Sequence, residues 1–249
     1  MIRLGIRVRA ADAEIAFARL EPVLANGAEE VSLGEAVEFA VYGEDVPDAR
    51  LRELAGDTLI TVTREPVDPG WDRAWHEHIE PVTVGALTFR PPWIPGDGIV
   101  IEPGLTFGLA SHPTTQLCLE LLQECERTPL ADWGCGSGVL AIAAAKLGFD
   151  PVTAIEIDPA AVATARENAR ANDVSVSITR GDARRGAPYA PTVVANLTLP
   201  VLGALEIERP PEVLIASGIL AGQKLLLPGL VERERREAFG WAALILEPA

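Results

Sequence analysis

The sequence contains few cysteine, histidine and basic residues. Its three cysteines, Cys118, Cys125 and Cys135, are an odd number at unrelated spacings. They predict neither a disulfide framework nor a zinc site, and they favour a reducing, cytoplasmic setting. Two of the three histidines, His76 and His78, are two residues apart and would point in different directions on a helix. We therefore expect no metal site.

Basic residues are also outnumbered by acidic ones. The chain has 21 Lys and Arg against 36 Asp and Glu, a formal net charge of −15. This charge argues against sequence-independent binding of nucleic-acid phosphates and against anionic membrane surfaces, whereas a basic protein partner fits it. Acids occur before any apolar stretch of signal-peptide length, and no segment reaches membrane-spanning length. We expect neither secretion nor membrane insertion.

The composition is that of a folded protein, with 48% hydrophobic and 23% charged residues among 249. Residues 1–65 predict a small α+β domain, in which an alternating strand from Ile2 to Val8 precedes a helical spacing from Ile15 to Leu24. A turn at Asn26-Gly27 is expected to end that helix. Residues 66–81 predict a linker, with prolines, a glycine and a helix that carries two tryptophans.

Residues 82–249 predict the larger domain. A short strand is expected around Val84 to Phe89, and from about Val100 strands alternate with helices. Such alternation is typical of an α/β fold with a mostly parallel sheet and right-handed crossovers. We count five to seven strands in this Rossmann-like sheet.

A strand end, three alternating glycines and a helix start follow one another at ADWGCGSGVLAI, residues 131–142. The glycines Gly134, Gly136 and Gly138 allow the backbone to approach a ligand, and the helix N-terminus offers free N–H groups. Glu156 ends the next strand, where an acid typically binds a ribose hydroxyl pair. The order of these elements predicts a nucleoside-binding site.

Which nucleoside is bound is a separate question. The stretch from Gly136 to Ala141 also fits the dinucleotide pattern GxGxxG/A, so an NAD-dependent oxidoreductase stays open. Two features argue against it: Asp132 precedes an additional glycine, and Gly181-Asp182 follows the third strand. The whole series, DxGxGxG, acid, then GD, resembles the class I S-adenosylmethionine-dependent methyltransferases.

Further segments narrow the resemblance. EPGLTFGLASHPTT (102–115), VANL (194–197), WDRAW (71–75), SGIL (217–220) and Gly240-Trp241 are similar to the bacterial methyltransferases of large-subunit ribosomal protein L11, the PrmA family. The resemblance covers nearly the whole chain from Trp71 onward. For residues 1–65 it implies only a ferredoxin-like substrate-recognition domain.

The resemblance implies S-adenosyl-L-methionine as the cofactor. It assigns the following cofactor contacts: Phe107, Gly108, Thr115, Asp132, Gly134, Gly136, Gly138, Glu156, Asp182 and Asn196. Asn196 is also the one catalytic candidate, since its amide offers a donor and an acceptor beside the reacting methyl group. Two positions depart from the family pattern, where Leu109 and Ala110 replace a threonine and a glycine. The segments after Asn196 and after Gly222 are shortened as well.

The implied function is methyl transfer to lysine or N-terminal amines of a basic large-subunit ribosomal protein. Residues 1–65 carry 13 acids against seven bases, which suits steering of such a partner. Three alternatives remain: a related methyltransferase with another acceptor, the NAD-binding oxidoreductase, and a non-catalytic relative that has lost the cofactor through Leu109 and Ala110. The sequence does not determine the oligomeric state.

Overall fold

The computed structural model describes residues 2–24, 28–43, 45–66, 80–102 and 110–249. Contacts divide the chain into two compact units, Met1–Ile79 and Glu80–Ala249. The predicted turn at Asn26-Gly27 lies outside the described residues. So do the tryptophan helix and the pair His76 and His78, and the linker at 66–81 therefore stays a prediction. In none of the described ranges does a helix combine the length and apolar composition needed to cross a membrane.

The first unit contains the α+β arrangement predicted for residues 1–65. Its elements are β1 (Ile2–Arg9), α1 (Ala13–Leu24), β2 (Glu29–Ser32), β3 (Ala36–Gly43), α2 (Asp48–Ala55) and β4 (Leu59–Pro66). The sheet order is β2-β3-β1-β4, and all its neighbouring strands are antiparallel. This βαββαβ arrangement is ferredoxin-like. The sequence pattern missed β2, a short strand that begins with two glutamates.

The two faces of this sheet are built differently. Leu4, Ile6 and Val8 alternate along β1 and are fully buried in the core. On the other face the carboxylate of Glu38 accepts hydrogen bonds from Arg3, at 2.7 Å, and from Arg7, at 2.5 Å. Burial opposes ionisation of Glu38, but these two bonds outweigh it and lower the pKa of the carboxyl group.

The second unit contains ten strands and four helices among its described residues. They are β5 (Val82–Val84), β6 (Leu87–Arg90), β7 (Ile99–Val100), α3 (Pro113–Glu124), β8 (Leu130–Trp133), α4 (Val139–Leu147), β9 (Val152–Glu156), α5 (Pro159–Ala171), β10 (Val176–Arg180), β11 (Thr192–Asn196), α6 (Leu199–Gly203), β12 (Val213–Leu220), β13 (Leu230–Ala238) and β14 (Trp241–Pro248). The single strand predicted around Val84 to Phe89 is wrong: a turn at Gly85, with φ +58°, divides it into the antiparallel strands β5 and β6.

The main sheet has seven strands in the order β10-β9-β8-β11-β12-β14-β13. Strands β8 to β12 run parallel, and β14 is antiparallel to both of its neighbours. The predicted α/β, mostly parallel Rossmann-like sheet is therefore confirmed. The order reverses between β8 and β11, and in open α/β sheets ligands bind at such a switch point, outside the carboxyl ends of the strands.

The connections on the β12 side are short. Only the five-residue α6 follows β11, and nine residues with no helix join β12 to β13. A parallel crossover normally contains a helix, whereas these two connections contain one helix of five residues and none. A cavity of about 480 Å³, lined by leucines such as Leu225 and Leu230 and by Arg235, opens beside β13. The predicted shortening after Asn196 and Gly222 corresponds to these two connections.

Candidate functional site

The switch point brings two loops into contact. One follows β8 and begins at Gly134, and the other follows β11 and begins at Leu197. A Cβ atom on Gly134 would lie 2.4 Å from Cδ2 of Leu197, so the leucine side chain packs directly on the glycine backbone. The carboxyl ends of the parallel strands meet at this edge, and most of the predicted site residues lie there.

The glycine loop has the backbone conformation that its sequence predicts. Gly134, Gly136 and Gly138 have φ values of +78°, +53° and +82°, which side chains rarely adopt. A Cβ atom on Gly138 would also lie 3.1 Å from Cβ of Ala165, because α5 packs closely against the loop. The loop therefore requires glycine for its conformation and, at two of the positions, for lack of space.

Glu156 organises the loop from the end of β9. One carboxylate oxygen accepts a hydrogen bond from the N–H of Gly136, at 2.9 Å. The other accepts from the N–H groups of Ile157, at 2.7 Å, and Asp158, at 3.0 Å. Each carboxylate oxygen has two lone pairs, so Glu156 keeps acceptor capacity for a ligand hydroxyl while it holds the loop.

Asp132 lies beneath the loop, with 1% of its surface exposed. Its Oδ2 accepts a hydrogen bond from the N–H of Ala141, at 3.1 Å, in the first turn of α4. Its Oδ1 has no hydrogen-bond partner among the described residues. Burial, together with the nearby charge of Glu156, raises the pKa of Asp132 to about 7, although the Ala141 bond opposes this. Its visible role is to anchor α4.

We predict that Asp132→Asn stabilises the protein progressively as the pH rises. The pKa of an unfolded aspartate is about 3.9, whereas that of Asp132 in the folded protein is about 7. Between these two pH values the folded state binds more protons than the unfolded state, so the free energy of unfolding of the wild type falls as the pH rises. The difference in free energy of unfolding between the asparagine variant and the wild type should therefore increase by about 2–3 kcal/mol from pH 5 to pH 8. Urea unfolding at both pH values measures the difference. A gap independent of pH would contradict an elevated Asp132 pKa.

Thr115 and Asn196 come together at the switch point. Thr115 lies in the first turn of α3 and is 8% exposed, and Asn196 ends β11. The Asn196 side-chain amide donates to the Thr115 hydroxyl at 3.3 Å. The first turn of α3 is fixed by His112, whose Nδ1 accepts from the N–H of Thr114 and whose ring contacts Trp241 with centroids 5.1 Å apart.

Asp182 follows β10 at the same edge. Its carboxylate accepts hydrogen bonds from the Arg184 side chain, the shortest at 2.7 Å, and from the Arg184 N–H at 2.9 Å. These bonds lower the pKa of Asp182 to about 2. Asp182 is thus an ionised acceptor held in a fixed orientation.

Two predicted contacts, Phe107 and Gly108, lie outside the described residues, and so does Leu109. Ala110 is described and is fully buried. The structure brings together the other predicted residues: the three loop glycines, Glu156, Thr115, Asn196 and Asp182 surround one edge, with Asp132 below them. Their assignment as cofactor contacts stays a prediction.

Sequence reasoning missed the contact between the ends of β11 and β12. The N–H of Leu197 donates to the carbonyl of Ser217 at 2.9 Å. Gly218, with φ +90°, lies so close that a Cβ atom there would be 2.3 Å from the Leu197 carbonyl oxygen. The register of β12 against β14 shifts at this glycine, which marks a β-bulge. An isolated glycine within the apolar run VLIASGIL was the available signal.

Comparison with known proteins assigns this architecture to a family. The model of the ribosomal protein L11 methyltransferase (PrmA) family matches residues 34–240. The chain belongs to the PrmA family. Among curated PrmA relatives, the ribosomal protein L11 methyltransferase of Laribacter hongkongensis is 37% identical over 195 residues, which are 74% of this chain and 63% of the relative. That of Pelotomaculum thermopropionicum is 36% identical over 224 residues, 81% of this chain and 73% of the relative.

A solved PrmA structure shares the fold. The crystal structure of ribosomal protein L11 methylase from Lactobacillus delbrueckii subsp. bulgaricus superposes with a TM-score of 0.57 at 25% sequence identity. The match covers 68% of this chain and 98% of that one. The predicted resemblance to the PrmA family is thus confirmed. This chain spans only 63% of the length of the Laribacter relative.

Proposed function

We propose that this protein is an S-adenosylmethionine-dependent methyltransferase that modifies amines of ribosomal protein L11. The observation that carries the proposal is the arrangement at the switch point, where Glu156 holds the glycine loop and Thr115 meets Asn196. Membership of the PrmA family supports it, since the matched relatives are named ribosomal protein L11 methyltransferases.

The residues present fit the cofactor. Glu156 would accept hydrogen bonds from the ribose hydroxyls, since an acid at the end of the second strand is the group that binds them in such folds. The glycine loop would leave room for the methionine part, and Asp182, which follows the third strand, would lie near the adenine, as the family resemblance implies. Thr115 and Asn196 offer a hydroxyl and an amide to the polar end of the methionine part. S-adenosylmethionine supplies a methyl group that its sulfonium makes electrophilic.

The remaining task of the protein is to hold a neutral amine in line with that methyl group and to exclude water. The free pKa of a lysine is about 10.4, so the acceptor must lose a proton, and desolvation favours its neutral form. Asn196 can accept a hydrogen bond from the amine through Oδ1, because its Nδ2 is engaged with Thr115. No side chain is proposed as a general base.

The first unit suits a basic acceptor protein. Six of the seven arginines within residues 1–65 form ion pairs inside this stretch, including Arg3 and Arg7 with Glu38, and Arg64 with Asp45. Most positive charges of residues 1–65 are thereby neutralised internally, while acids outnumber bases in this stretch by 13 to seven. The surplus gives the unit a negative field that would attract a basic protein and raise the association rate.

Two measurements test the proposal. Calorimetric titration with S-adenosylmethionine and with NAD should give binding of the first only; NAD binding alone would overturn the proposal in favour of an oxidoreductase. Purified L11 incubated with enzyme and S-adenosylmethionine should gain mass in steps of one methyl group. If S-adenosylmethionine binds but L11 gains no mass, the methyl acceptor is another molecule. If neither S-adenosylmethionine nor NAD binds, the protein is a non-catalytic relative.

We predict that Asn196→Ala lowers kcat by about 30-fold or more, because a hydrogen bond that orients the reacting amine is worth about 2 kcal/mol in the transition state. Thr192→Ala is the matched control: Thr192 begins the same strand and its hydroxyl lies 2.8 Å from that of Thr128, at the opposite edge. The control should keep kcat within about threefold. Steady-state methylation of L11 measures both. Equal losses would mean that Asn196 acts only through stability.

A further inference from the structure

The buried face of α5, continued by the residue that caps its C-terminus, carries two asparagines where its spacing predicts apolar side chains. Ala161, Ala165 and Ala169 are buried on this face, and Asn168 and Asn172, at 2% and 6% exposure, continue it. Burying a side-chain amide is costly unless its hydrogen bonds are made inside the protein. The partners of these two amides therefore decide what the residues do.

Each asparagine binds one residue of the segment that contains β7. Oδ1 of Asn172 accepts from the Val100 N–H at 2.8 Å, and Nδ2 donates to the Val100 carbonyl at 2.6 Å. Oδ1 of Asn168 accepts from the Glu102 N–H at 2.8 Å, and Nδ2 donates to the Glu102 carbonyl at 3.1 Å. Alternate residues of an extended chain face the same side, so the two amides act on this segment as a neighbouring strand would.

Only Asn168 also reaches the glycine loop. Its Nδ2 donates a second hydrogen bond to the carbonyl of Ser137, at 3.0 Å, between Gly136 and Gly138. The N–H of the same peptide unit, on Gly138, donates to the Cys135 carbonyl at 2.8 Å. The Ser137–Gly138 peptide is thus held at both its polar atoms. Both hydrogens of the Asn168 amide are used, so one side chain connects the glycine loop to Glu102.

We propose that Asn168 is a positioning residue for the cofactor loop, an inference that rests on the proposed function. It fixes the orientation of the Ser137–Gly138 peptide and joins the loop to Glu102, five residues before the predicted contact Phe107. A loop ordered before the ligand arrives loses less conformational freedom on binding. Asn172 makes equivalent bonds to the same segment without touching the loop, which provides a matched control within one helix.

The test compares Asn168→Ala with Asn172→Ala by hydrogen exchange and by binding. Without ligand, the Gly138 amide should exchange about tenfold faster in Asn168→Ala, while Asn172→Ala stays within about twofold of the wild type. The affinity for S-adenosylhomocysteine, measured by calorimetry, should fall about tenfold in the first variant only. If Asn168→Ala fails to fold, Asn168→Ser, which is too short to reach Ser137 and Glu102 together, replaces it with the same expected result.

Two results would overturn the positioning role: equally faster exchange of the Gly138 amide in both variants, or unchanged exchange in Asn168→Ala. If the asparagines only stabilised the fold, their replacement would change the exchange of this amide by the same factor. Hydrogen exchange needs no cofactor. If the wild type binds no S-adenosyl ligand, the proposed function fails, while the exchange comparison still decides whether Asn168 holds the loop.

Discussion

Glu156→Ala is expected to weaken S-adenosylmethionine binding by about 100-fold or more. The variant loses the proposed bonds to the ribose hydroxyls, and hydrogen bonds to a charged group contribute about 1.5–3 kcal/mol each. It also leaves the N–H groups of Gly136, Ile157 and Asp158 without their carboxylate. The cofactor site would thus lose a direct contact and the support of its loop at once.

Calorimetric titration measures this effect, and two variants separate its parts. Glu156→Gln keeps one side-chain acceptor for the loop amides but loses the charge, so its affinity should lie between those of the wild type and the alanine variant. Glu167→Ala removes an equal charge from the exposed face of α5 and should bind as the wild type does. An affinity of Glu156→Ala within about threefold of the wild type would remove Glu156 from the cofactor site.

Gly218→Ala is expected to lower the free energy of unfolding by about 2–4 kcal/mol, from overlap with packed atoms and from a left-handed backbone. The added Cβ would lie 2.3 Å from the Leu197 carbonyl oxygen and 2.7 Å from the Leu197 carbonyl carbon. These are backbone atoms, and the Leu197 N–H is itself bonded to Ser217 at 2.9 Å. Relief therefore requires the end of β11 to move, and Asn196 with it.

Gly222→Ala is the control for the backbone conformation alone. Gly222 has φ +79°, close to the +90° of Gly218, but no atom lies within 4 Å of the position of its Cβ. Its variant should lose only about 1 kcal/mol. Urea unfolding gives both values, and methylation of L11 at a temperature where both variants are folded should show the lower kcat for Gly218→Ala. Equal destabilisation by Gly218→Ala and Gly222→Ala would show that the Leu197 backbone moves away from the added Cβ atom at little cost.

Local patterns predicted the parts of the fold that follow simple rules. The strand β8 and helix α4 lie at the predicted positions because a buried apolar run, a glycine loop and a terminal glycine at Gly148 each specify one local conformation. Asp158 caps α5 as its position before a proline indicates, accepting from the Ala160 N–H at 2.9 Å. At the site, the spacing also predicted that the glycine loop and Glu156 lie close together, as their hydrogen bond shows, while their role as cofactor contacts stays a prediction.

Other features depend on long-range contacts that no local pattern contains. Strand β13 was missed because its sequence, LVERERREA, is mostly charged; it is an edge strand of the sheet, where charge discourages pairing with other chains. The contacts of Asn168 with Ser137 and Glu102 join residues 31 and 66 positions apart. The sequence signal for them was an amide on an apolar helix face.

The strand orders of the two sheets determine when each unit is completed during synthesis. All four strands of the first sheet lie within residues 2–66, so that sheet can close early. In the second, the last strand, β14, inserts between β12 and β13, and β12 has no outer partner until Trp241–Pro248 leaves the ribosome. Domains generally fold as units, N-terminal first. The unit proposed to receive the acceptor protein can therefore be folded while the second unit is still being made.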